Sequence, residues 1–396
     1  MYFPKVLTLG LLAGAASAAP HSVSSRATRG QNVVYWGQNG GGTVENNDLS
    51  AYCTPTSGID VIVLAFLYEF GNGVNIPSGT IGQSCYISTS GEGQNCDNVA
   101  SSIATCQAAG VKIILSLGGA SGAYSLQSAS QAAAIGQYVW ESYADSGNTT
   151  VQRPFGNNFV NGFDFDIEVN LGNQYYPAMI SQIRSNFASD SSHTYYITGA
   201  PQCPIPEPNM GEIISAATFD YLFVQFYNNN NYTYPCSLGF DGNAANNYNQ
   251  WVSFIAGTPS AAAKIFFGVP AAPLAANGSP SGETYYITPT QLATLVAEYD
   301  TSPAFGGIMM WSAGFSDTNV VNGCTYAQQA HSILLTGSPC SGSGPVPPTT
   351  TAKTSTATHA PTSTSTSHPA TATPTGAPVA QWGQVSTLSL SYDHET

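Results

Sequence analysis

The chain has 396 residues, only 8% of them charged, and sets 22 acidic residues against 8 basic ones for a formal net charge of −14. So few Lys and Arg leave no electrostatic footprint for nucleic acid or an anionic membrane surface, and a polyanionic ligand is disfavoured. With 22 Tyr and 5 Trp, the composition instead suits a neutral, hydroxyl-rich ligand held on aromatic faces.

The first predicted segment is a leader. Lys5 precedes an apolar run over residues 6–15 and the small-residue stretch Ala16-Ser17-Ala18, the layout of a secretory signal peptide over residues 1–18. Residues 19–30 read as a pro-segment or flexible N-terminus. The apolar run is too short to span a bilayer, and no other stretch is long enough, so no membrane span is expected. Eight cysteines in an exported chain read as up to four disulfides, with no Cys-x-x-Cys spacing for zinc or redox chemistry. Sequence alone does not pair them. Sequons at Asn148, Asn231 and Asn277 are compatible with glycosylation.

Short β-rich runs then recur at residues 33–37, 60–67, 111–117, 162–167, 195–200, 221–227, 264–269 and 307–311, and 129–144, 176–188 and 290–299 are strong helix candidates. Near-continuous apolar strands alternating with helices indicate a parallel sheet, and eight such strands are the number that closes a (β/α)8 TIM barrel. An open doubly wound sheet is the alternative, but no Gly-x-Gly-x-x-Gly opens a helix after a strand. The barrel is placed over residues 31–340. Residues 341–378 collapse into Ser, Thr, Pro, Ala and Gly and cannot build a core, so they form an extended, O-glycosylated linker followed by a tail over 379–396.

The fourth strand carries the chemistry. It reads Asn161-Gly-Phe-Asp164-Phe-Asp166-Ile-Glu168. Side chains alternate along a strand, so Asp164, Asp166 and Glu168 share one face while Phe163, Phe165 and Ile167 share the other. Three like charges are costly to bury unless they share protons and accept hydrogen bonds. A solvated edge strand or a metal site are the bland readings; the apolar opposite face argues for a strand buried on both sides. Glu168 falls at the carboxyl end, where barrels keep their catalytic groups.

This strand resembles the catalytic signature of glycoside hydrolase family 18. Ser116-Leu-Gly118-Gly119 resembles that family's third-strand motif. Tyr35-Trp-Gly-Gln38-Asn39, Ala200-Pro-Gln-Cys-Pro204, Gln225-Phe-Tyr227-Asn228-Asn229 and Gly268-Val-Pro-Ala-Ala-Pro273 are similar to its hevamine-like class III branch. The likeness spans roughly residues 31–333, effectively the whole folded unit. It implies a secreted endochitinase that cleaves β-1,4 bonds between N-acetylglucosamine units with retention, the substrate's N-acetyl oxygen attacking C1. Glu168 would be the general acid and base, Asp166 would orient the acetamido N–H, and Asp164 would share a proton with Asp166. Tyr227 would donate to the acetamido oxygen. Tyr35, Gln38, Gln225, Asn228 and Trp311 would line the substrate site, with Trp311 as its floor, and Gly118 and Gly119 would shape it by close backbone approach. The family alignment implies the pairs Cys53–Cys106, Cys85–Cys96 and Cys203–Cys236, leaving Cys324 with Cys340.

Two departures stand out. The family begins its signature with Asp, where this chain has Asn161, expected here to tune the buried charge. Gln381-Trp-Gly-Gln384 is similar to the opening of a fungal cellulose-binding module, yet no cysteine follows Cys340 to complete one, so an unstructured tail is expected. No apolar C-terminal tail suits a lipid anchor, which favours release or loose wall association. The implied partner is chitin or its oligosaccharides, with neither metal nor cofactor, and the chain is expected to be a monomer. The rival readings are a lectin-like or inhibitory binding protein on the same barrel, which typically lacks the acid Glu, and an endo-β-N-acetylglucosaminidase acting on N-glycan cores.

Overall fold

The computed structural model describes residues 29–38 and 47–341. The expected signal peptide, the linker beyond Ser341 and the tail lie outside these residues, as does Asn39.

Eight parallel strands form a closed ring: β1 Gln31–Trp36, β2 Val61–Gly71, β3 Lys112–Gly118, β4 Gly162–Asp166, β5 Tyr196–Gly199, β6 Tyr221–Gln225, β7 Lys264–Pro270 and β8 Phe305–Trp311. Each pairs with the next, and β8 pairs back to β1, so no edge is left open. Helices cover the outside: α1 Asp97–Ala108, α2 Ala129–Tyr143, α3 Tyr176–Phe187, α4 Gly211–Ala216, α5 Tyr248–Ile255, α6 Pro289–Tyr299, α7 Ala313–Thr318 and α8 Tyr326–Thr336. Helices α6 and α8 begin in capping boxes, Thr288 with Gln291 and Thr325 with Gln328, which satisfy amide groups the first turn leaves unpaired.

The period of two along each strand sorts the apolar residues into two layers. Val33, Tyr35, Val61, Val63, Phe223 and Phe266 pack inside the barrel. Val34, Trp36, Ile62, Leu64, Leu222 and Val224 face the helices, where they meet Ile135, Ile183, Leu292 and Ile333. Burial on both faces is why these strands read as near-continuous apolar runs.

One feature has no counterpart among the predicted strands. After β2 the chain turns back in an antiparallel excursion, Val74–Ile81, Cys85–Ile87 and Gly93–Gln94, which extends the sheet beyond β2. The Cys85–Cys96 disulfide closes it. The other three bridges are Cys53–Cys106, Cys203–Cys236 and Cys324–Cys340, the last being the pair left over once the resemblance had supplied three.

Candidate active site

Strand register places the acids. In the ring, Asp164 of β4 sits level with Ser116 of β3 and Thr198 of β5, all three pointing inward. Both neighbours donate to it, Ser116 Oγ to Oδ2 at 2.6 Å and Thr198 Oγ1 to Oδ1 at 2.6 Å. Tyr35 adds a third hydroxyl at 2.8 Å to Oδ2. Burial raises the Asp164 carboxyl above its usual range, and these three donors pull it back. Its oxygens are thus taken up by hydroxyls, and among the described residues it makes no hydrogen bond to Asp166.

Asp166, 4% exposed, ends β4 opposite Gly118. A Cβ on Gly118 would collide with the Asp166 carbonyl oxygen, and Gly118 has φ +114°, so glycine is what lets β3 approach β4 here. Gly119 N donates to the same carbonyl at 2.7 Å. The Asp166 side chain accepts from Gln225 Nε2 at 3.1 Å, and the Glu168 carboxyl is its electrostatic neighbour. Burial raises both groups, and for Asp166 the neighbouring charges of Glu168 and Asp164 raise it further, well above the usual range.

Glu168 lies just past the end of β4. Its backbone N–H donates to Tyr124 Oη at 2.9 Å, while that hydroxyl donates onward to Gly119 O at 2.8 Å. Its carboxyl accepts from Gln202 Nε2 at 3.3 Å. Tyr124 and Gln202 were both absent from the sequence-based site. Gln202 lay within a quoted motif, but nothing in the sequence says which of its neighbours points at Glu168.

The acids open onto a cleft of about 730 Å³ at the carboxyl ends of the strands. Tyr35, Gln225, Tyr227, Asn228 and Trp311 line it. Trp311 stacks on Phe66 at 6.0 Å between ring centroids with 18° between planes, an apolar platform of which only one half was anticipated. Tyr227 is buried, and its hydroxyl is pushed well above the usual range by that burial and by the charges of Asp166 and Glu168, so it stays a neutral donor. Asn228 adopts a left-handed backbone at φ 63°, and its amide donates to Ala276 O at 2.6 Å, tying the loop after β6 to the loop after β7.

Four expected residues are not part of the cleft lining, Asp164 being held below it by its three hydroxyl donors. Gln38 donates to the carbonyls of Ala65 and Thr80 at 3.3 and 3.4 Å, tying the end of β1 to β2 and the excursion. Gly118 and Gly119 act through the backbone contacts described above. Asn161 needs correction. It is an odd number of residues from the acids, so it faces away from them, and its Oδ1 accepts from Ile113 N and Gln107 Nε2, both at 2.9 Å. It fastens the start of β4 to β3 and α1 and has no contact with the buried charge.

Residues 31–316 match the profile of Glycosyl hydrolases family 18. The chain belongs to this family. It is 70% identical over 377 residues to Endochitinase 2 of Metarhizium robertsii, covering 95% of this chain and 90% of that one. Among solved structures it is similar to a chitinase from Ipomoea carnea, with a TM-score of 0.58 and 32% identity over 76% of this chain and 99% of that one. It is also similar to a xylanase and alpha-amylase inhibitor protein from Scadoxus multiflorus, with a TM-score of 0.58 and 29% identity over 78% and 99%. The family 18 barrel thus holds an acidic pair at the mouth of an aromatic cleft, and the protein is a glycoside hydrolase.

Proposed function

We propose that the protein is a secreted chitinase that cleaves internal β-1,4 bonds between N-acetylglucosamine units with retention, the substrate's acetamido oxygen serving as nucleophile. One observation carries this reading. Among the described residues lining the cleft, Asp166 and Glu168 are the only carboxylates, two residues apart at the end of one strand, and the charge of Glu168 helps raise the Asp166 carboxyl. A conventional retaining glycosidase holds its two carboxyls about 5 to 5.5 Å apart, and an inverting one about 6.5 to 9.5 Å, so that they work on opposite faces of the sugar. A pair side by side at the end of one strand does not flank a ring. The nucleophile must then come from the substrate, which restricts it to a sugar bearing an N-acetyl group.

In this mechanism Glu168 delivers its proton to the glycosidic oxygen as the acetamido oxygen attacks C1 and the C1–O bond breaks. Asp166 accepts from the acetamido N–H and offsets the positive charge on the cyclic oxazolinium ion. Glu168, now ionised, takes a proton from the water that opens the ring. Tyr227 donates to the acetamido oxygen, and the Trp311–Phe66 platform takes the apolar face of the pyranose. The leader-like sequence over residues 1–18 and the four disulfides support export. A monomer loosely associated with a cell wall fits the Ser/Thr/Pro-rich sequence that follows the barrel.

The Scadoxus inhibitor gives the second reading, a binding protein on the same barrel. Glu168 separates the two. Incubated with soluble chitin oligomers, the wild type is expected to cleave them, and Glu168→Gln to bind them with kcat reduced by about 10³-fold or more. Binding without cleavage by the wild type would favour the inhibitor-like reading instead.

A further inference from the structure

One chain of polar contacts leads away from the cleft and ends on a charge that the mechanism does not use. We infer that Glu207 is a positioning residue for the proton donor, acting through Gln202; this rests on the reading of Glu168 as that donor.

Glu207, 8% exposed, lies in the loop between β5 and α4. It accepts four backbone N–H groups: Gln202 at Oε1, 3.2 Å, and Asn209, Met210 and Gly211 at Oε2, the first and last at 2.9 and 2.7 Å. Among the described residues no Lys, Arg or His forms an ion pair with it. Burying a carboxylate without a cation is costly, and the four backbone donors offset only part of that cost, since burial still raises the Glu207 carboxyl to about 7. Three of those donors close the turn into α4. The fourth belongs to Gln202, the residue whose side chain meets Glu168.

The backbone geometry explains why that fourth contact matters. Pro201 O accepts from Gln225 N at 2.8 Å, and Cys203 N donates to Gln225 O at 3.2 Å, so the residues on either side of Gln202 are bound to β6. Cys203 is fixed further by its disulfide to Cys236 and by Trp251 Nε1, which donates to its carbonyl at 3.0 Å. Gln202 turns its own N–H the other way, to Glu207. Held from both sides, its Cα–Cβ bond has one direction, and its amide reaches Glu168 Oε2. That donor fixes the rotamer of the acid and favours its ionised form against the effect of burial.

The test measures kcat, KM and the pH profile of kcat/KM on soluble N-acetylglucosamine oligomers for Glu168→Gln, Gln202→Met, Glu207→Gln and the double variant of the last two. Thermal midpoints establish that each is folded, and Gln202→Ser replaces Gln202→Met if Met is not accommodated. Gln202→Met is expected to lower kcat about tenfold or more with KM within about twofold. The alkaline limb of kcat/KM should move to higher pH, because a donor to the Glu168 carboxylate is gone. Glu207→Gln should shift both in the same direction but less. The double variant should have kcat no lower than Gln202→Met alone, although its thermal midpoint falls below either single variant, because Glu207 acts on catalysis only through Gln202. An inactive Glu168→Gln beside a Gln202→Met with wild-type kcat and an unmoved limb overturns this inference alone. So does a kcat effect of Glu207→Gln that adds in full in the double variant. An active Glu168→Gln overturns the assignment of the acid and this inference with it.

Discussion

At the scale of single residues, the acidic pair is held at a cost to folding. Asp166 and Glu168 have carboxyls raised by burial, so the native state holds protons that the unfolded chain gives up. The stability tied to that protonation is complete below the unfolded-state values and is lost as pH rises through the raised ones. Asp166→Asn, which keeps the shape of the protonated acid at every pH, should therefore raise the thermal midpoint at pH 7. The gain should be small at pH 4, and thermal unfolding at the two values checks both the sign and the trend. Tyr124→Phe should act oppositely. It strips the partner from Glu168 N–H and Gly119 C=O, costing about 1 to 3 kcal/mol, and kcat should fall as the acid loses its anchor. Unfolding and steady-state kinetics on one preparation measure both. The acids themselves were legible in the sequence because a period of two puts them on one face. Their partners Tyr124, Gln202 and Thr198 were not, because each comes from another segment and reaches the site through ring closure.

At the scale of elements, the register between β3 and β4 decides where the acids stand. Gly118 faces Asp166 across that register with no room for a Cβ. Gly118→Ala should force the two strands apart and lower both the thermal midpoint and kcat. Gly110→Ala is the control. Gly110 also has a positive φ, +86°, but nothing lies within 4 Å of where its Cβ would stand, so its cost should be limited to the backbone term of about 1 to 2 kcal/mol. Equal effects at the two positions would mean that the close approach of β3 to β4 is unimportant. The barrel strands and the helices over 129–144, 176–188 and 290–299 were legible because both sheet faces are buried and the helices are amphipathic. The excursion at Val74–Ile81 was not: its Pro77 and Gly79 break the apolar run that marks the other strands. Asn161 was misplaced for a simpler reason, since its side of the strand follows from counting residues to Asp166.

At the scale of the whole molecule, the composition, the closed barrel and the cleft point the same way. A chain with few basic residues and many aromatic ones folds into a ring whose only carboxylates at the cleft, among the described residues, stand two residues apart at the end of one strand. On the proposed reading the nucleophile is the substrate's own acetamido oxygen, and the reaction is a double displacement at C1. The direct measurement is NMR of the fresh product while N-acetylglucosamine oligomers are being cleaved, before mutarotation sets in. Substrate-assisted double displacement gives the β-anomer at the new reducing end. Initial formation of the α-anomer would mean single displacement by water and rule that route out.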